Sequence, residues 1–132
     1  IVAAQEYKDK INVKANSINQ VVGSLSGGNQ QKVVVSKWML TQPDVLIMDE
    51  PTRGIDVGAK YEIYCVINDL AKAGKAIIVI SSEMPEIIGT CDRCYVINEG
   101  EIAGELNRDE FSQERIMQLI MAHMRKGDGN GN

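Results

Sequence analysis

Two short apolar runs dominate the pattern of hydrophobic and polar positions along the chain. Residues 45–48 read Val-Leu-Ile-Met, and residues 76–80 read Ala-Ile-Ile-Val-Ile. Short continuous apolar runs with turn-forming residues after them are typical of strands that are buried on both faces of a parallel sheet. Both runs are therefore predicted to be buried strands of one such sheet.

The segment between these two runs has the periodicity of a helix. Its apolar residues fall on one helical face: Ile63, Val66, Ile67 and Leu70. Asp56 can cap the start of this helix, and Gly74 can end it at the first position after the cap. A strand, a helix and a second strand form a crossover unit in which the helix packs on the parallel sheet.

The segment after Ser26 carries two conflicting signals. Apolar positions recur at helical spacing up to residues 41–43, and they are Val34, Val35, Trp38, Met39 and Leu40. Ser26 offers a hydroxyl for the N-cap of such a helix. The three consecutive valines at residues 33–35 favour a strand instead. The periodicity predicts a helix here, against the strand propensity of the valine run.

Further elements are predicted at both ends of the chain. A helix covers residue 1 to about residue 10, and its abrupt start suggests a piece of a longer protein. A short helix at residues 84–90 has Pro85 in its first turn, and residues 94–97 and 102–106 form an antiparallel hairpin. A last amphipathic helix covers residues 113–124, and the polar, glycine-rich residues 127–132 are predicted to be disordered.

Composition narrows the class of protein. The 132 residues are 44% hydrophobic and 24% charged, which suits one modest globular core. No run approaches the length of a membrane span, and no secretory signal is visible, so a membrane role requires a partner. The net charge of −4 gives no electrostatic footprint for a polyanion, so nucleic acid is not an expected partner.

The three cysteines suggest reduced thiols inside the cell. An odd number of cysteines without a signal peptide argues against a disulfide framework. Cys91 and Cys94 have the spacing of a zinc or redox pair, but no second pair accompanies them and His123 is the one histidine. Buried cysteines that act as small apolar residues are the favoured interpretation.

The segment Leu25-Ser26-Gly27-Gly28 suits an anion. Its two glycines remove side-chain bulk where a helix is predicted to begin, so free N–H groups there can approach a phosphate. Ser26 adds a hydroxyl. A glycine-containing turn with a serine cap is the alternative interpretation of this segment taken alone.

Asp49 and Glu50 end the first apolar run. Their carboxylates are predicted to project from the carboxyl edge of the parallel sheet, where the ligands of α/β proteins collect. An aspartate there can hold the Mg²⁺ of a bound nucleotide, and the next glutamate can act as general base on a water. Taken singly, two acids before Pro51 are also a common strand-ending turn.

Together the two motifs resemble the ABC ATPase family, in which a signature precedes the magnesium-binding strand by about two dozen residues, and the resemblance covers nearly the whole chain. It implies an α/β fold, namely an incomplete RecA-like core with mostly parallel buried strands, a hairpin, and part of a helical signature subdomain. The implied domains are residues 1–43 for the helical subdomain, 44–126 for the core and 127–132 for the tail.

The resemblance also implies residue roles, with ATP and Mg²⁺ as cofactors. Ser26, Gly27, Gly28 and Gln30 match the signature that reaches across a dimer to the γ-phosphate held by the opposite half. Asp49 matches the magnesium-binding aspartate and Glu50 the catalytic glutamate. Residues 54–56 match the loop that couples the two sites, and Asp56 could help to bind the cofactor in this loop as well as cap its helix.

The sequence around these motifs is similar to the second ATPase half of bacterial monosaccharide importers, most of all to the galactose and methylgalactoside type. Residues 29–32 and 49–60 carry this similarity, together with residues 38–43 and 81–86. The implied partners are the other ATPase half, a membrane permease and, indirectly, a sugar-binding protein. The implied location is the cytoplasmic face of the cell membrane, where the protein is peripheral.

Two departures from the family pattern affect the expected mechanism. The phosphate-binding loop G-x-x-x-x-G-K-[ST] is absent from the sequence, so the isolated chain is expected to bind ATP poorly and to be inactive by itself. Glu83 stands where the family places a switch histidine, and a carboxylate repels a γ-phosphate instead of donating to it. The site that contains Glu50 is therefore expected to be weak.

Two other functions remain open at this point. A non-catalytic, regulatory ATPase half would also explain Glu83, and an ABC-type ATPase of DNA repair or chromosome maintenance carries the same motifs. An uncovered apolar sheet also predicts that the isolated chain self-associates.

Overall fold

The computed structural model describes residues 2–128, and the side chains of residues 2–125. Its helices are α1 (Val2–Lys10), α2 (Gly27–Met39), α3 (Val57–Lys72), α4 (Met84–Thr90) and α5 (Gln113–Asp128), with short 3-10 turns at Val22–Ser24 and Arg108–Glu110. Its strands are β1 (Val45–Asp49), β2 (Ala76–Ile80), β3 (Arg93–Asn98) and β4 (Glu101–Asn107). The chain divides into a first unit, Ile1–Ser81, and a second unit, Ser82–Asn132.

The first unit contains the predicted strand-helix-strand crossover. β1 and β2 pair in parallel, from Val45 opposite Ala76 to Asp49 opposite Ile80. α3 lies between them in sequence and packs its apolar face on the sheet. The parallel sheet predicted from the two apolar runs is confirmed.

The two strands differ from the prediction in their burial. Leu46 and Met48 on β1 belong to the core, but Val45 and Ile47 are 53% and 65% exposed. The helices of the first unit pack against the face of Leu46 and Met48, so the alternate side chains of each strand face outward. In the described chain the strands are therefore buried on one face instead of two.

Helix α3 has the predicted face and both predicted ends. Ile63 is fully buried, and the core also contains Ile67 and Leu70. The Asp56 carboxylate accepts a hydrogen bond from the Ala59 N–H at 3.0 Å, as an N-cap residue does. Gly74, with φ of +87°, supplies the left-handed residue that follows the helix.

Helix α2 forms despite its run of valines. Val35 and Met39 pack into the core with α3, while Val34, Trp38 and Leu40 are between 45% and 57% exposed. Tertiary burial of the Val35 and Met39 face stabilises the helix and outweighs the strand propensity of the local sequence. The helix predicted from periodicity is confirmed, and Val35 and Met39 are the buried ones among its five apolar positions.

The second unit is the predicted hairpin with a helix packed on it. β3 and β4 are antiparallel, and their turn places Glu99 and Gly100 at positive φ, 51° and 80°. Two such residues in sequence match the twist of a hairpin. A second core forms around Val96, Leu106 and Ile116.

The chain end and the domain boundaries complete the fold. α5 continues to Asp128, past residue 124 where the apolar pattern ends, so the helix includes residues 127 and 128 of the predicted tail. Residues 129–132 of the predicted tail lie outside the described residues. The predicted domain boundary near residue 43 stays a prediction.

Within residues 2–128 the helices are too short or too polar to cross a membrane.

Candidate functional site

The start of α2 presents Ser26 and Gly27 of the predicted signature to solvent, while Gly28 is buried. Ser26 has the extended backbone of an N-cap residue, with φ of −61° and ψ of 154°, and Gly27 begins the helix. Both residues are exposed. The N–H groups of a first helical turn have no carbonyl partner within the helix, so this end carries a partial positive charge that suits an anion.

The side chains of Ser26 and Gln30 make different contacts from those expected. The Ser26 hydroxyl binds the Asn29 side chain, whose Nδ2 donates to it at 2.8 Å, rather than the backbone of its own helix. Ser26 thus holds the N-cap position without the usual side-chain cap. The Gln30 amide turns back and donates to the Leu25 carbonyl at 2.8 Å.

Gly28 allows α2 to approach the start of α3. A Cβ atom at Gly28 would lie 2.7 Å from the Cβ of Ala59, closer than two carbon atoms can come. A Cβ at Gly27 would lie 3.9 Å from Cγ1 of Ile55. The structure therefore brings the predicted signature and the predicted coupling loop, residues 54–56, together.

Asp49 and Glu50 lie where the sequence predicts them, at the carboxyl end of β1. Asp49 is exposed and closes the ladder opposite Ile80. Glu50 has φ of +46° and donates its N–H to the Ile80 carbonyl at 2.8 Å. A left-handed backbone at a residue other than glycine is uncommon. It is held here by β2 and by a turn in which the Arg53 N–H binds the Glu50 carbonyl.

The acidic residues fit a magnesium ion that a nucleotide brings with it. Carboxylate oxygen is the ligand that Mg²⁺ prefers, and Asp49 is exposed at the strand end. In the described part of the chain, no cluster of three or more acidic, histidine or cysteine side chains could hold a metal ion. A Mg²⁺ ion of this kind is bound by one or two carboxylates, by the phosphates of the nucleotide and by water.

Glu83 belongs to the second unit, where it is the N-cap residue of α4. It is partly buried, with φ of −95° and ψ of 103°. Its predicted role beside a γ-phosphate stays a prediction.

A buried cation beneath the signature was not found from the sequence. Lys32 is 2% exposed, and its ammonium donates to Glu62 at 2.7 Å and to the Asn12 carbonyl at 3.0 Å. Lys14 reaches the same carboxylate at 3.1 Å. The hydrogen bond from Lys32 and then that from Lys14 lower the pKa of Glu62. No local pattern marks these residues because their contacts span 30 and 48 positions of sequence.

Both cysteines of the pair are partly buried, and Cys94 packs against the core of the second unit. Burial raises the pKa of the Cys91 thiol, and it also raises that of Cys94. Thiols with raised pKa values are weak nucleophiles and weak metal ligands. All three cysteines are free thiols.

Similarity to known proteins decides the family. The L-arabinose transport ATP-binding protein of Geobacillus stearothermophilus is 59% identical over 91% of this chain. A ribose import ATP-binding protein of Clostridium perfringens is 59% identical over 87%, and the galactose/methyl galactoside import ATP-binding protein of Pasteurella multocida is 58% identical over 88%. The chain is part of an ABC-type ATP-binding cassette. It spans 23% of the length of each of these three relatives.

A family model and solved structures agree with this assignment. The ABC transporter model matches residues 2–53. An ATP-binding cassette of an ABC transporter in its ADP conformation superimposes with a TM-score of 0.77 at 21% identity, covering 91% of this chain and 49% of that one. A dimeric cassette bound to ADP and Pi gives 0.69 at 22% identity, covering 81% and 46%. The α/β fold of a partial ABC cassette is thereby confirmed.

Proposed function

We propose that the full-length protein is the ATP-binding subunit of an ABC importer, and that it couples ATP hydrolysis to monosaccharide uptake. In this proposal the chain contributes the signature, residues 25–28, to a composite ATP site. The phosphate-binding loop of that site lies in the other ATPase half. The proposal rests on the similarity to sugar-import proteins and on the geometry at the start of α2.

The observation that carries the proposal is the exposed first turn of α2. Ser26 and Gly27 face solvent, and Gly28 fixes this turn against Ala59 at the start of α3. Exposed N–H groups and a hydroxyl on a rigidly packed helix end form a preorganised binding surface for a terminal phosphate.

Asp49 and Glu50 would serve a second ATP site. Asp49 would hold Mg²⁺ through the nucleotide and Glu50 would polarise the attacking water. The hydrogen bond from the Glu50 N–H to the Ile80 carbonyl, which holds the backbone of Glu50 at the end of the sheet, supports this role. Glu83 would weaken the site by repelling a γ-phosphate, and Asp56 would contribute to coupling the two sites beside its role as a helix cap.

The proposed partners are the other ATPase half, a membrane permease and, through the permease, a sugar-binding protein. One of the similar structures is a dimer of cassettes bound to ADP and Pi, which supports a site shared between two halves. The proposed location is the cytoplasmic face of the membrane, with the protein attached through its permease.

The galactose and methylgalactoside type remains a proposal among three sugars. Arabinose, ribose and galactoside relatives share 58% to 59% identity with this chain, so overall similarity does not separate them. Each of these relatives is named as a transport or import protein, which favours an importer subunit over an ATPase of DNA repair. Sugar-stimulated hydrolysis by the reconstituted transporter, measured with each of the three sugars, tests the choice.

The decisive experiment compares two variants of the full-length protein. Ser26→Arg fills the exposed turn and should abolish most ATP hydrolysis, because the composite site loses its signature. Glu50→Gln keeps the shape of the side chain and should leave most hydrolysis in place, because its own site is the weak one. Steady-state phosphate release is the measurement. The opposite result, intact Ser26→Arg and inactive Glu50→Gln, contradicts the proposal.

A further inference from the structure

A buried amide lies directly beneath the exposed Ser26 hydroxyl. Asn29 is 9% exposed, and its Nδ2 lies 2.8 Å from the Ser26 Oγ. An asparagine amide has one end that only accepts and one end that only donates hydrogen bonds. The effect of Asn29 on Ser26 therefore depends on which end faces the hydroxyl.

The other end of Asn29 settles that orientation. Its Oδ1 lies 2.7 Å from the backbone nitrogen of Lys14. A backbone N–H can only donate, so the atom opposite it must be the accepting oxygen. The NH₂ end is then directed at Ser26, and the reverse orientation would place two donors against each other.

This orientation determines what the Ser26 hydroxyl can offer. A hydroxyl has one donor and two accepting lone pairs, and Asn29 occupies one of the lone pairs. The hydroxyl hydrogen cannot be used toward Asn29, because that side presents a donor. It is thereby available for an acceptor on the exposed side of Ser26.

We propose that Asn29 is a positioning residue that fixes Ser26 as a hydrogen-bond donor toward the terminal phosphate of the nucleotide. The inference rests on the proposed composite ATP site. It adds a residue that acts through Ser26 without touching the nucleotide. An anion accepts hydrogen bonds only, so a hydroxyl fixed as a donor is the form that such a ligand needs.

The buried cation keeps the partner of Asn29 in place. Lys32 donates to the carbonyl of Asn12, whose φ is +53°, and Val13 between Asn12 and Lys14 is buried. These contacts hold the loop that carries the Lys14 N–H. The chain of contacts therefore runs from Lys32 through this loop to Asn29.

The test is Asn29→Asp in the full-length protein. A carboxylate keeps the size of the side chain and still accepts from the Lys14 N–H, but it also accepts from Ser26 and turns the hydroxyl hydrogen inward. Hydrogen bonds to charged groups suggest a loss of roughly tenfold to a hundredfold in kcat/KM for ATP. Wild-type hydrolysis by Asn29→Asp would overturn the inference.

A double-mutant cycle with Ser26→Ala separates positioning from simple repulsion or misfolding. Without the hydroxyl, Asn29→Asp should cause little further loss, whereas an equal loss in both backgrounds would overturn the inference. The Kd for ADP, which lacks the γ-phosphate, should not change. A parallel loss of ADP affinity would indicate a structural role and would also overturn it.

The cycle also distinguishes the inference from the proposed function. Wild-type hydrolysis by Ser26→Ala would contradict the proposed composite site itself. Impaired hydrolysis by Ser26→Ala together with wild-type hydrolysis by Asn29→Asp would contradict only the positioning role of Asn29. If Asn29→Asp does not yield folded protein, Asn29→Ala is combined with Ser26→Ala in the same double-mutant cycle. The loss of hydrolysis in that double variant should be smaller than the sum of the two single losses, and additive losses would overturn the inference.

Discussion

At the residue scale, single atoms decide how the signature is held. Gly28 is required because α2 and α3 meet there, and Asn29 matters because its two ends are chemically different. Neither property is visible in the local pattern of residues 25–28, which predicts an anion-binding turn and nothing about what supports it. Two predictions belong to this scale.

Gly28→Ala should destabilise the 132-residue chain because the new methyl group would meet Ala59 at 2.7 Å. Overpacking of this kind costs about 1–3 kcal/mol, although alanine has the better helix propensity. Urea unfolding measures the loss. Ala59→Gly in the same chain makes room for the methyl group, so the double variant should be more stable than the sum of the single effects predicts. Strictly additive effects would contradict the close approach.

Glu62 should make stability depend on pH. The contact with Lys32 lowers its pKa in the folded state below the ordinary 4.5, so the unfolded chain binds a proton first as the pH falls. The stabilisation is present above pH 4.5 and is lost as the pH falls through the folded pKa. Glu62→Gln removes it, so the difference in unfolding free energy from wild type should be largest near neutral pH and shrink in acid. A difference that is constant with pH contradicts this.

At the element scale, helix ends and buried faces explain the local structure. α3 has a cap at Asp56, a left-handed glycine at its end and a fully buried Ile63. α2 has a poorer sequence for a helix and depends on burial of Val35 and Met39. The two helices support each other through the core that they share, which explains why the valine run does not become a strand.

Asp56→Ala should destabilise the chain by about 0.5–2 kcal/mol because the Ala59 N–H loses its acceptor. Asp56→Asn is the matched control, since its side-chain oxygen can accept the same hydrogen bond. It should retain most of the stability. Thermal or urea unfolding of both variants provides the comparison. If Asp56→Asn were as unstable as Asp56→Ala, the carboxylate charge and not the cap would be the stabilising feature.

At the scale of the whole molecule, the main feature of the described residues is the open face of the parallel sheet. The outward side chains of β1 and β2 are apolar and about half exposed or more: Val45, Ile47, Ile78 and Ile80. The sheet of the first unit has two strands in the described chain, so each strand also presents a backbone edge. Apolar faces and open edges promote association.

The isolated chain is expected to self-associate, as the sequence already predicts. Light scattering at increasing concentration should show a mass above 14.5 kDa. Ile47→Lys, at the most exposed position of the outward face, should shift the chain toward monomer without disturbing the core. Lys75→Ala, outside this face, is a control that should not. A monomeric wild-type chain at high concentration contradicts the prediction.

The sequence by itself determined the order of elements and the family, and it predicted the residues of the site. Apolar runs specified β1 and β2, periodicity specified α3, and the motifs around Ser26 and Asp49 specified the family, because these signals are local. Tertiary structure alone decided which sheet face is covered, that α2 prevails over its valines, and that Asn29, Lys14, Lys32 and Glu62 lie beneath the signature. Those outcomes depend on contacts between residues far apart in sequence, which no local pattern records.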